Sequence, residues 1–360
     1  MGYKLVWVTD EHFGVRNNDP FFLKKQLDWK KKQFLPYLKN NPVLRVVHGG
    51  DLFDNRKTTS SLILNEAFNY LSDIASLRIK QFVLIGNHDV YYKDDNSISP
   101  VHIVAKSIKD CLVVHDDCVI YRSDDSVKDR EKFLLVPWIN PKNSEYLLSR
   151  INSFSEKEET IVMGHFEIDG CEVNGGRFVG DLKQSFFHDF KQVVSGHFHC
   201  PSKSGNIWYT GNPFFFTWAD CGQKKGFWSY DLDEKYWEFI ENKDYVFFSY
   251  KSVDEALGHD KEECYVRVLV DGDEGCKERL EGLQKKLNAL NCRQEYLFPE
   301  EGKIEFNNSV MLSSSDEDEL EKDDVEGLLK SVVSSSGEID EEKKNDLLQY
   351  VLHLHQKVKE

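Results

Sequence analysis

Five clusters of metal-ligating residue types occur within the first two hundred residues, and each comes directly after a short apolar run. Carboxylate, amide and imidazole groups all bind divalent metal ions, and the clusters combine these groups without a thiolate. In chain order the clusters are Asp10-Glu11-His12, Gly49-Gly50-Asp51-Leu52-Phe53-Asp54, Gly86-Asn87-His88-Asp89, Gly164-His165 and Gly196-His197-Phe198-His199.

This mixture of ligands suits the hydrolysis of a phosphate ester. Two divalent cations held roughly 3.5–4 Å apart can bind both the attacking and the leaving oxygen of such an ester. A carboxylate shared by the two ions would offset their mutual repulsion. Hard oxygen ligands with several imidazoles suit manganese, iron or zinc better than calcium. The clusters therefore predict a two-metal phosphoesterase site.

Each cluster taken alone also has a structural explanation. A D-x-H sequence after a strand is often a polar loop, G-D-x-x-D can be a turn that caps a helix, and a single G-H has little specificity. G-N-H-D and G-H-x-H after strands are more specific, and five clusters in this order favour the metal site. We interpret Asp54 and Arg56 as capping or pairing groups near the site. Four other histidines are interpreted as structural, namely His48, His102, His115 and His188.

The elements that must position these residues are predicted by hydrophobic patterning. Apolar runs at 4–9, 43–47, 81–85, 133–137, 160–163 and 192–195 predict strands, and 21–38 and 59–75 predict helices. Late strands at 208–210 and 227–230 look antiparallel. Because strand ends in an α/β sheet converge on one edge, the separate clusters can meet there. The sequence predicts an α/β layered sandwich with helices covering a mostly buried sheet.

The pattern changes after residue 235. A strand at 263–270, a helix at 276–290 and a strand at 292–298 predict a small α+β unit, so we divide the chain into domains at 1–235 and 236–306. Residues 307–324 are polar and acidic and predict a flexible linker. Residues 325–360 predict two amphipathic helices, which either fold back or, as we favour, dock on a partner. Their apolar positions include Val325, Leu328, Leu329, Val332, Leu347, Leu348, Val351 and Leu352.

Charge and cysteine content limit the partners and the compartment. The formal charge is +1 over residues 1–230 and −17 over 231–360, which together give −16. A polyanion such as a nucleic acid would therefore bind residues 1–230 or a basic partner protein, rather than the acidic residues 231–360. Lysines 24, 25, 30, 31 and 32 form the best local basic patch, and a solvated helix face explains them equally well.

Eight cysteines without a C-x-x-C pair predict reduced thiols, no zinc ribbon and a cytoplasmic location. No signal peptide or membrane span is predicted.

The ordered motifs D-x-H, G-D-x-x-D, G-N-H-D, G-H and G-H-x-H resemble the calcineurin-like metallophosphoesterase superfamily. Within it, the D-x-H-x-G start at 10–14, G-G-D-L-F-D at 49–54, G-N-H-D at 86–89 and Y-T-G-N-P at 209–213 resemble the SbcD-type double-strand-break repair nucleases. The likeness is greatest to the recombination endonuclease subunits of T4-type phages. It implies a four-layer sandwich of mixed sheets flanked by helices, a small α+β capping domain and a C-terminal helix pair.

The resemblance also implies roles for the site residues. One metal would be held by Asp10, His12 and His199, a second by Asn87, His165 and His197, and Asp51 would bridge the two. His88 would stand beside the scissile phosphate and protonate the leaving oxygen or stabilise developing charge. The implied metal is manganese. Asp54, Arg56 and Asp89 would lie behind the ligands; Asp54 occupies a position where some relatives carry histidine.

The implied activity is exonuclease and endonuclease cleavage of double-stranded and single-stranded DNA in end processing, recombination and repair. The implied partners are an SbcC-type coiled-coil ATPase, bound by 325–358, and a second copy of the chain, bound through 59–75 and 99–108. A phage-encoded member would work in the host cytoplasm.

Two other classes of function remain open. The first is a protein phosphatase or a small-phosphodiester hydrolase, which usually shows G-D-x-x-D-R-G and G-N-H-E. Here Asn55 follows Asp54, and Asp89 replaces the glutamate. The second is a scaffold with a vestigial site, against which the complete ligand set argues.

Overall fold

The computed structural model describes residues 2–123, 131–173, 176–270 and 276–297. Its strands are β1 Lys4–Val8, β2 Val43–His48, β3 Lys80–Leu84, β4 Cys111–Val114, β5 Val119–Arg122, β6 Lys132–Val136, β7 Thr160–His165, β8 Ile168–Asp169, β9 Glu172–Val173, β10 Gly176–Arg177, β11 Leu182–Lys183, β12 Gln192–Gly196, β13 Ser202–Ser204, β14 Ile207–Tyr209, β15 Gly226–Asp231, β16 Tyr236–Glu241, β17 Phe247–Tyr250, β18 Tyr265–Leu269 and β19 Arg293–Leu297. The helices are α1 Val15–Asn18, α2 Pro20–Trp29, α3 Leu35–Asn40, α4 Ser61–Ser76, α5 Pro100–Ala105, α6 Ser144–Asn152, α7 Val253–Leu257 and α8 Cys276–Ala289.

Two six-stranded mixed sheets form the centre of the protein. The first has the strand order β16-β15-β1-β2-β3-β4, and the second has the order β13-β14-β12-β7-β6-β5. In the first sheet β1 to β4 are mutually parallel, while β15 runs antiparallel to both of its neighbours, β1 and β16. In the second sheet the four central strands are parallel and both edge strands are antiparallel. Strands buried on both faces read as continuous apolar runs, as β1 does.

The sheets pack face to face, and helices cover their outer faces. Trp7 and Tyr230 of the first sheet and Phe133 of the second belong to one buried core between the sheets. A second core joins the first sheet to α2 and α4 through Trp29 and Tyr70. A third core lies on the outer face of the second sheet, beneath α6. The expected four-layer sandwich is confirmed.

The helix predicted at 21–38 is interrupted. Asp19 caps α2 by accepting the N–H of Phe21 at 2.9 Å, and a π-helical turn at Lys30–Phe34 separates α2 from α3. The lysines on this segment are largely paired rather than free to bind a polyanion. Lys24 and Lys32 contact Asp28, Lys25 contacts Asp244, and Lys30 contacts Asp73. The solvated, ion-paired helix face is therefore the better explanation for most of the basic patch.

The late strands predicted at 208–210 and 227–230 each have an antiparallel neighbour, but they do not pair with each other. β14 and β15 belong to different sheets, and β14 runs parallel to β12. The antiparallel neighbour of β14 is β13, and those of β15 are β1 and β16. Trp208 and Trp228 nevertheless meet between the sheets, with ring centroids 4.3 Å apart. Packing between layers, rather than hydrogen bonding within one sheet, brings these two strands together.

A three-stranded parallel sheet of β17, β18 and β19 follows, with α7 and α8 packed on it. Val266, Val268, Leu283 and Leu287 form part of its separate core. β16 still belongs to the first large sheet, so the elements of this small unit begin at Phe247 rather than at 236. The predicted linker at 307–324 and helix pair at 325–360 lie outside the described residues. Within the described ranges, every helix is too short or too polar to cross a bilayer.

Candidate metal centre

The five sequence clusters meet at one end of the two sheets, where β1, β2, β3, β7 and β12 finish. Backbone hydrogen bonds tie the first two loops together, since the N–H of Asp10 donates to the Gly50 oxygen and that of His12 to the Asp51 oxygen, both at 3.0 Å. The carboxylate of Asp10 accepts the N–H of His197 at 3.0 Å. This last bond joins the first sheet to the second at the site.

Several site residues adopt a left-handed backbone conformation. The φ angles are 56° at Asp10, 47° at His12, 54° at Asp51 and 86° at His197. Such conformations cost non-glycine residues roughly 1–3 kcal/mol each and persist only where the surroundings impose them. Because four such residues occur together at the site, the loop backbones are held in the conformations that direct these side chains into it.

Two glycines allow the loops to approach the ligands closely. Gly50 has a φ of 100°, and a Cβ atom there would lie 2.6 Å from Nδ1 of His165. A Cβ atom on Gly86 would lie 2.2 Å from Oδ1 of Asp51. Larger residues at either position would displace a predicted ligand.

The first predicted ligand group consists of Asp10, His12 and His199. Nε2 of His12 lies 3.1 Å from Nε2 of His199. Oδ1 of Asp10 lies 3.8 Å from the His199 nitrogen and 4.0 Å from the His12 nitrogen. The ligand atoms therefore converge on a common point.

The second predicted group consists of Asn87, His165 and His197. The side-chain oxygen of Asn87 lies 2.9 Å from Nε2 of His165 and 3.0 Å from Nδ1 of His197. The opposite nitrogen of His165 contacts the backbone oxygen of Gly49 at 2.9 Å, which fixes the ring. Nε2 of His165 thus faces the same space as the Asn87 oxygen.

Asp51 lies between the two groups. Its Oδ2 is 3.1 Å from Nε2 of His165 and 3.8 Å from Nε2 of His12. Its Oδ1 accepts the backbone N–H of His88 at 2.8 Å. The position fits a carboxylate shared by two ions.

The charges of the buried side chains favour a bound cation. Burial raises the pKa of Asp10, and the negative charge of Asp51 raises it further. Although burial opposes protonation, neighbouring aspartates raise the pKa values of His12 and His165 to about 9. Two buried carboxylates facing several imidazoles need positive charge between them, and divalent ions supply it. The oxygen and nitrogen donors fit such ions. Two groups of three residues, Asp10-His12-His199 and Asp51-His165-His197, each have their ligand atoms within 4.8 Å of one another.

His88 is half-buried beside the ligands. Its Nδ1 donates to the backbone oxygen of Asp54 at 2.7 Å, so the ring is held in one orientation. Its ring centroid lies 5.0 Å from that of His12. Burial lowers the pKa of His88. The remaining nitrogen, Nε2, is the one available to a substrate.

The three residues expected behind the ligands have different surroundings. The Asp54 carboxylate lies 3.2 Å from Nδ1 of His12 and so orients that ring. Asp89 is buried and accepts the N–H groups of Phe53 and Gly86, both at 3.0 Å, which ties two of the site loops together. Burial raises the pKa of Asp89 to about 7. Arg56 is half-buried in the loop after Asp54.

Three further residues support the site, and the sequence analysis missed their roles. Glu167 contacts Nε2 of His197 at 3.0 Å, and the hydroxyl of Thr9 donates to the Asp10 carboxylate at 2.7 Å. Glu11 contacts Nδ1 of His48 at 2.7 Å, which gives His48 the structural role expected for it. Their positions in the sequence could have indicated these roles, because Thr9 and Glu11 are adjacent to Asp10 and Glu167 follows His165 by two residues.

The chain matches the calcineurin-like phosphoesterase family over residues 3–201. This range is more than half of the 360 residues and contains all five clusters.

Two viral proteins resemble the chain in sequence. Exonuclease subunit 1 of Enterobacteria phage T4 is 26% identical over 358 residues, covering 98% of both chains. Putative phosphoesterase 078R of Invertebrate iridescent virus 3 is 30% identical over 212 residues, which are 58% of this chain and 56% of that protein.

Among solved structures, a dimetal phosphatase from Danio rerio aligns with 66% of this chain and 95% of its own, at 11% identity and a TM-score of 0.38. The family match and the convergence of the clusters at one sheet edge lead to the same assignment. The protein belongs to the calcineurin-like phosphoesterase family and is a metal-dependent phosphoesterase.

Proposed function

We propose that the protein is the nuclease subunit of a complex that processes DNA ends in recombination and repair. It would hydrolyse phosphodiesters of double-stranded and single-stranded DNA as an exonuclease and an endonuclease. The observation that carries the proposal is the similarity to an exonuclease subunit over 98% of both chains. This similarity continues well past the phosphoesterase match at 3–201, through the small unit and the C-terminal segment.

In the proposed site, Asp10, His12 and His199 would hold one manganese ion, and Asn87, His165 and His197 would hold the other. The Asp51 carboxylate would be shared between them. Bound divalent ions would polarise the phosphate and lower the pKa of water, as such ions do in two-metal hydrolases. The oxygen and imidazole donors, with no thiolate, support manganese.

His88 is proposed as the catalytic side chain outside the ligand set. With Nδ1 engaged by the Asp54 backbone oxygen, a protonated ring presents Nε2–H to the substrate. That hydrogen can be donated to the leaving oxygen or can stabilise charge that develops on the phosphate. The Asp51 carboxylate accepts the backbone N–H of His88 and thereby sets the distance between this residue and the ligands.

The proposed partners are an ATPase of the SbcC type and a second copy of the chain. The apolar stripes of 325–358 support ATPase binding. Exposed apolar side chains on α4, on α5 and just before α5 support dimerisation: Leu62 is 55% exposed, Phe68 37%, Ile98 53% and Ile103 67%. An ATPase partner would also supply positive charge for DNA, since most lysines of the local basic patch are already paired. We further propose a cytoplasmic location, in the host if the source is a phage.

The partner proposals are tested by deleting residues 325–360. The shortened protein should remain a dimer by light scattering and keep manganese-dependent hydrolysis, because the site and α4 lie elsewhere. It should no longer co-purify with a co-expressed ATPase of the SbcC type. Retention of the ATPase would refute the assigned binding segment, and a monomeric full-length chain would refute the dimer.

The nuclease proposal is tested with matched substrates in manganese. Linear duplex DNA and single-stranded DNA should be degraded, while a phosphoserine peptide should remain intact. A simple aryl phosphodiester serves as the control for a working site. Hydrolysis of that ester with both DNA substrates intact would contradict the nuclease function while leaving the phosphoesterase assignment in place.

A further inference from the structure

A second group of metal-ligand side chains lies far from the phosphoesterase site in sequence, within the small unit. His259, Cys264 and Cys292 are buried, with 2%, 0% and 9% of their surfaces exposed. Their ligand atoms all lie within 4.8 Å of one another. His259 follows α7, Cys264 precedes β18 and Cys292 precedes β19, so three separate segments meet here.

A fourth donor completes the group. The backbone oxygen of Lys261 faces the two sulfurs and the imidazole. The six separations among the four atoms form the edges of a tetrahedron: His259 Nε2 to Cys264 Sγ 3.2 Å, His259 Nε2 to Cys292 Sγ 3.8 Å, His259 Nε2 to Lys261 O 2.8 Å, Cys264 Sγ to Cys292 Sγ 3.5 Å, Cys264 Sγ to Lys261 O 3.6 Å and Cys292 Sγ to Lys261 O 3.3 Å.

Four of these separations, from 3.3 to 3.8 Å, agree with the size of a tetrahedral zinc site, while Nε2 of His259 lies closer to the Lys261 oxygen and to Cys264 Sγ, at 2.8 Å and 3.2 Å. Zinc–sulfur bonds of about 2.3 Å and zinc–nitrogen or zinc–oxygen bonds of about 2.0–2.1 Å place neighbouring ligand atoms roughly 3.3–3.8 Å apart. Two thiolates with one imidazole are soft ligands that select zinc over manganese, magnesium or calcium. The phosphoesterase site contains no sulfur, and its oxygen and imidazole ligands lack this selectivity.

The imidazole is held from behind, as metal-bound histidines usually are. The hydroxyl of Tyr250 lies 2.8 Å from Nδ1 of His259. Without an ion, Nε2–H donates to the Lys261 oxygen at 2.8 Å. In the zinc-bound state the Tyr250 hydroxyl would accept the Nδ1 hydrogen, which leaves Nε2 unprotonated and directed at the two sulfurs. We propose that His259, Cys264 and Cys292, with the Lys261 backbone oxygen, bind one structural Zn²⁺ ion.

The cluster lies where a bound ion would stabilise the packing of the small unit. It would fasten the loop at 258–263 to the starts of β18 and β19, at the end of the small sheet that contacts α2. There Arg293 pairs with Asp19 at 2.8 Å, and the Tyr265 ring lies 5.3 Å from that of Phe21. Gln26 of α2 in turn donates to the backbone oxygen of Glu11 at 2.6 Å, beside the phosphoesterase ligands. The ion would thus stabilise the unit that packs next to the active site.

Cobalt binding to the full-length chain tests this proposal separately from catalysis. Cobalt bound by thiolates gives a near-ultraviolet sulfur-to-metal charge-transfer band, which the sulfur-free phosphoesterase site cannot produce. We expect this band to saturate at one cobalt per chain and to disappear on addition of one equivalent of zinc. Cys264→Ser and Cys292→Ser should each abolish it. Cys276→Ser is the matched control, because Cys276 is buried in the same unit outside the cluster, and it should leave the band unchanged.

A wild-type chain without the band, or with a Cys264–Cys292 disulfide in its place, would overturn the proposal. So would a band that survives both serine substitutions. If the serine variants do not fold, zinc-edge X-ray absorption of the wild-type chain loaded with manganese and one zinc per chain decides. Two sulfur neighbours per zinc support the site, and only oxygen and nitrogen neighbours contradict it.

Discussion

Replacing His88 with alanine should reduce phosphodiester hydrolysis by about 10²–10⁴-fold, the range that a positioned general acid contributes. The substitution removes the nitrogen that would face the leaving oxygen. It leaves the ligand atoms in place, because Asp51 contacts the backbone N–H of His88 rather than its ring. The rate at saturating substrate should fall much more than the affinity for substrate, since the lost interaction belongs to the transition state.

Metal content separates this outcome from simple damage to the site. The His88→Ala variant should retain the same number of manganese ions per chain as the wild type. His188→Ala is the matched control, because His188 is exposed and contacts the neighbouring Asp189, and it should keep full activity. If His88→Ala loses its metal along with its activity, His88 is a ligand rather than the catalytic side chain.

Asp51→Asn should also reduce hydrolysis strongly. Asparagine preserves the shape of the side chain but removes the negative charge that lies 3.1 Å from His165 and 3.8 Å from His12. The two ions would lose the shared carboxylate that offsets their repulsion. Lewis-acid stabilisation contributes several kcal/mol, and about 1.4 kcal/mol is tenfold in rate, so we expect a loss of about 10³-fold or more.

The ion count after gel filtration measures this effect directly. Asp51→Asn should bind fewer than two manganese ions per chain, while Asp169→Asn should bind as many as the wild type. Asp169 is a suitable control because its carboxylate pairs with Lys183 outside the ligand groups. Wild-type metal content and activity in Asp51→Asn would show that Asp51 does not bridge the ions.

Much of the fold could be predicted because buried parallel strands appear in sequence as continuous apolar runs. The runs at 4–9, 43–47 and 81–85 correspond to β1, β2 and β3. The layering followed from helices alternating with these strands. The sheet membership of the late strands could not be predicted, because Trp208 and Trp228 meet across two layers and sequence distance does not distinguish this from pairing within one sheet.

The site residues could be found from sequence because strand ends in an α/β fold share one edge. The structure brings all seven predicted ligands to that edge, together with His88. The supporting contacts were not accessible in the same way. Glu167 reaches His197 only through the particular path of the loop after β7. The His259–Cys264–Cys292 cluster likewise depends on three segments whose spacing matches no familiar zinc motif.

The central claim is that two ions share Asp51 in the phosphoesterase site. Anomalous diffraction from crystals grown with manganese tests it most directly. We expect two peaks, one among Asp10, His12 and His199 and the other among Asn87, His165 and His197, each within bonding distance of the Asp51 carboxylate. A single peak, or two peaks of which one lies beyond reach of Asp51, would contradict the account.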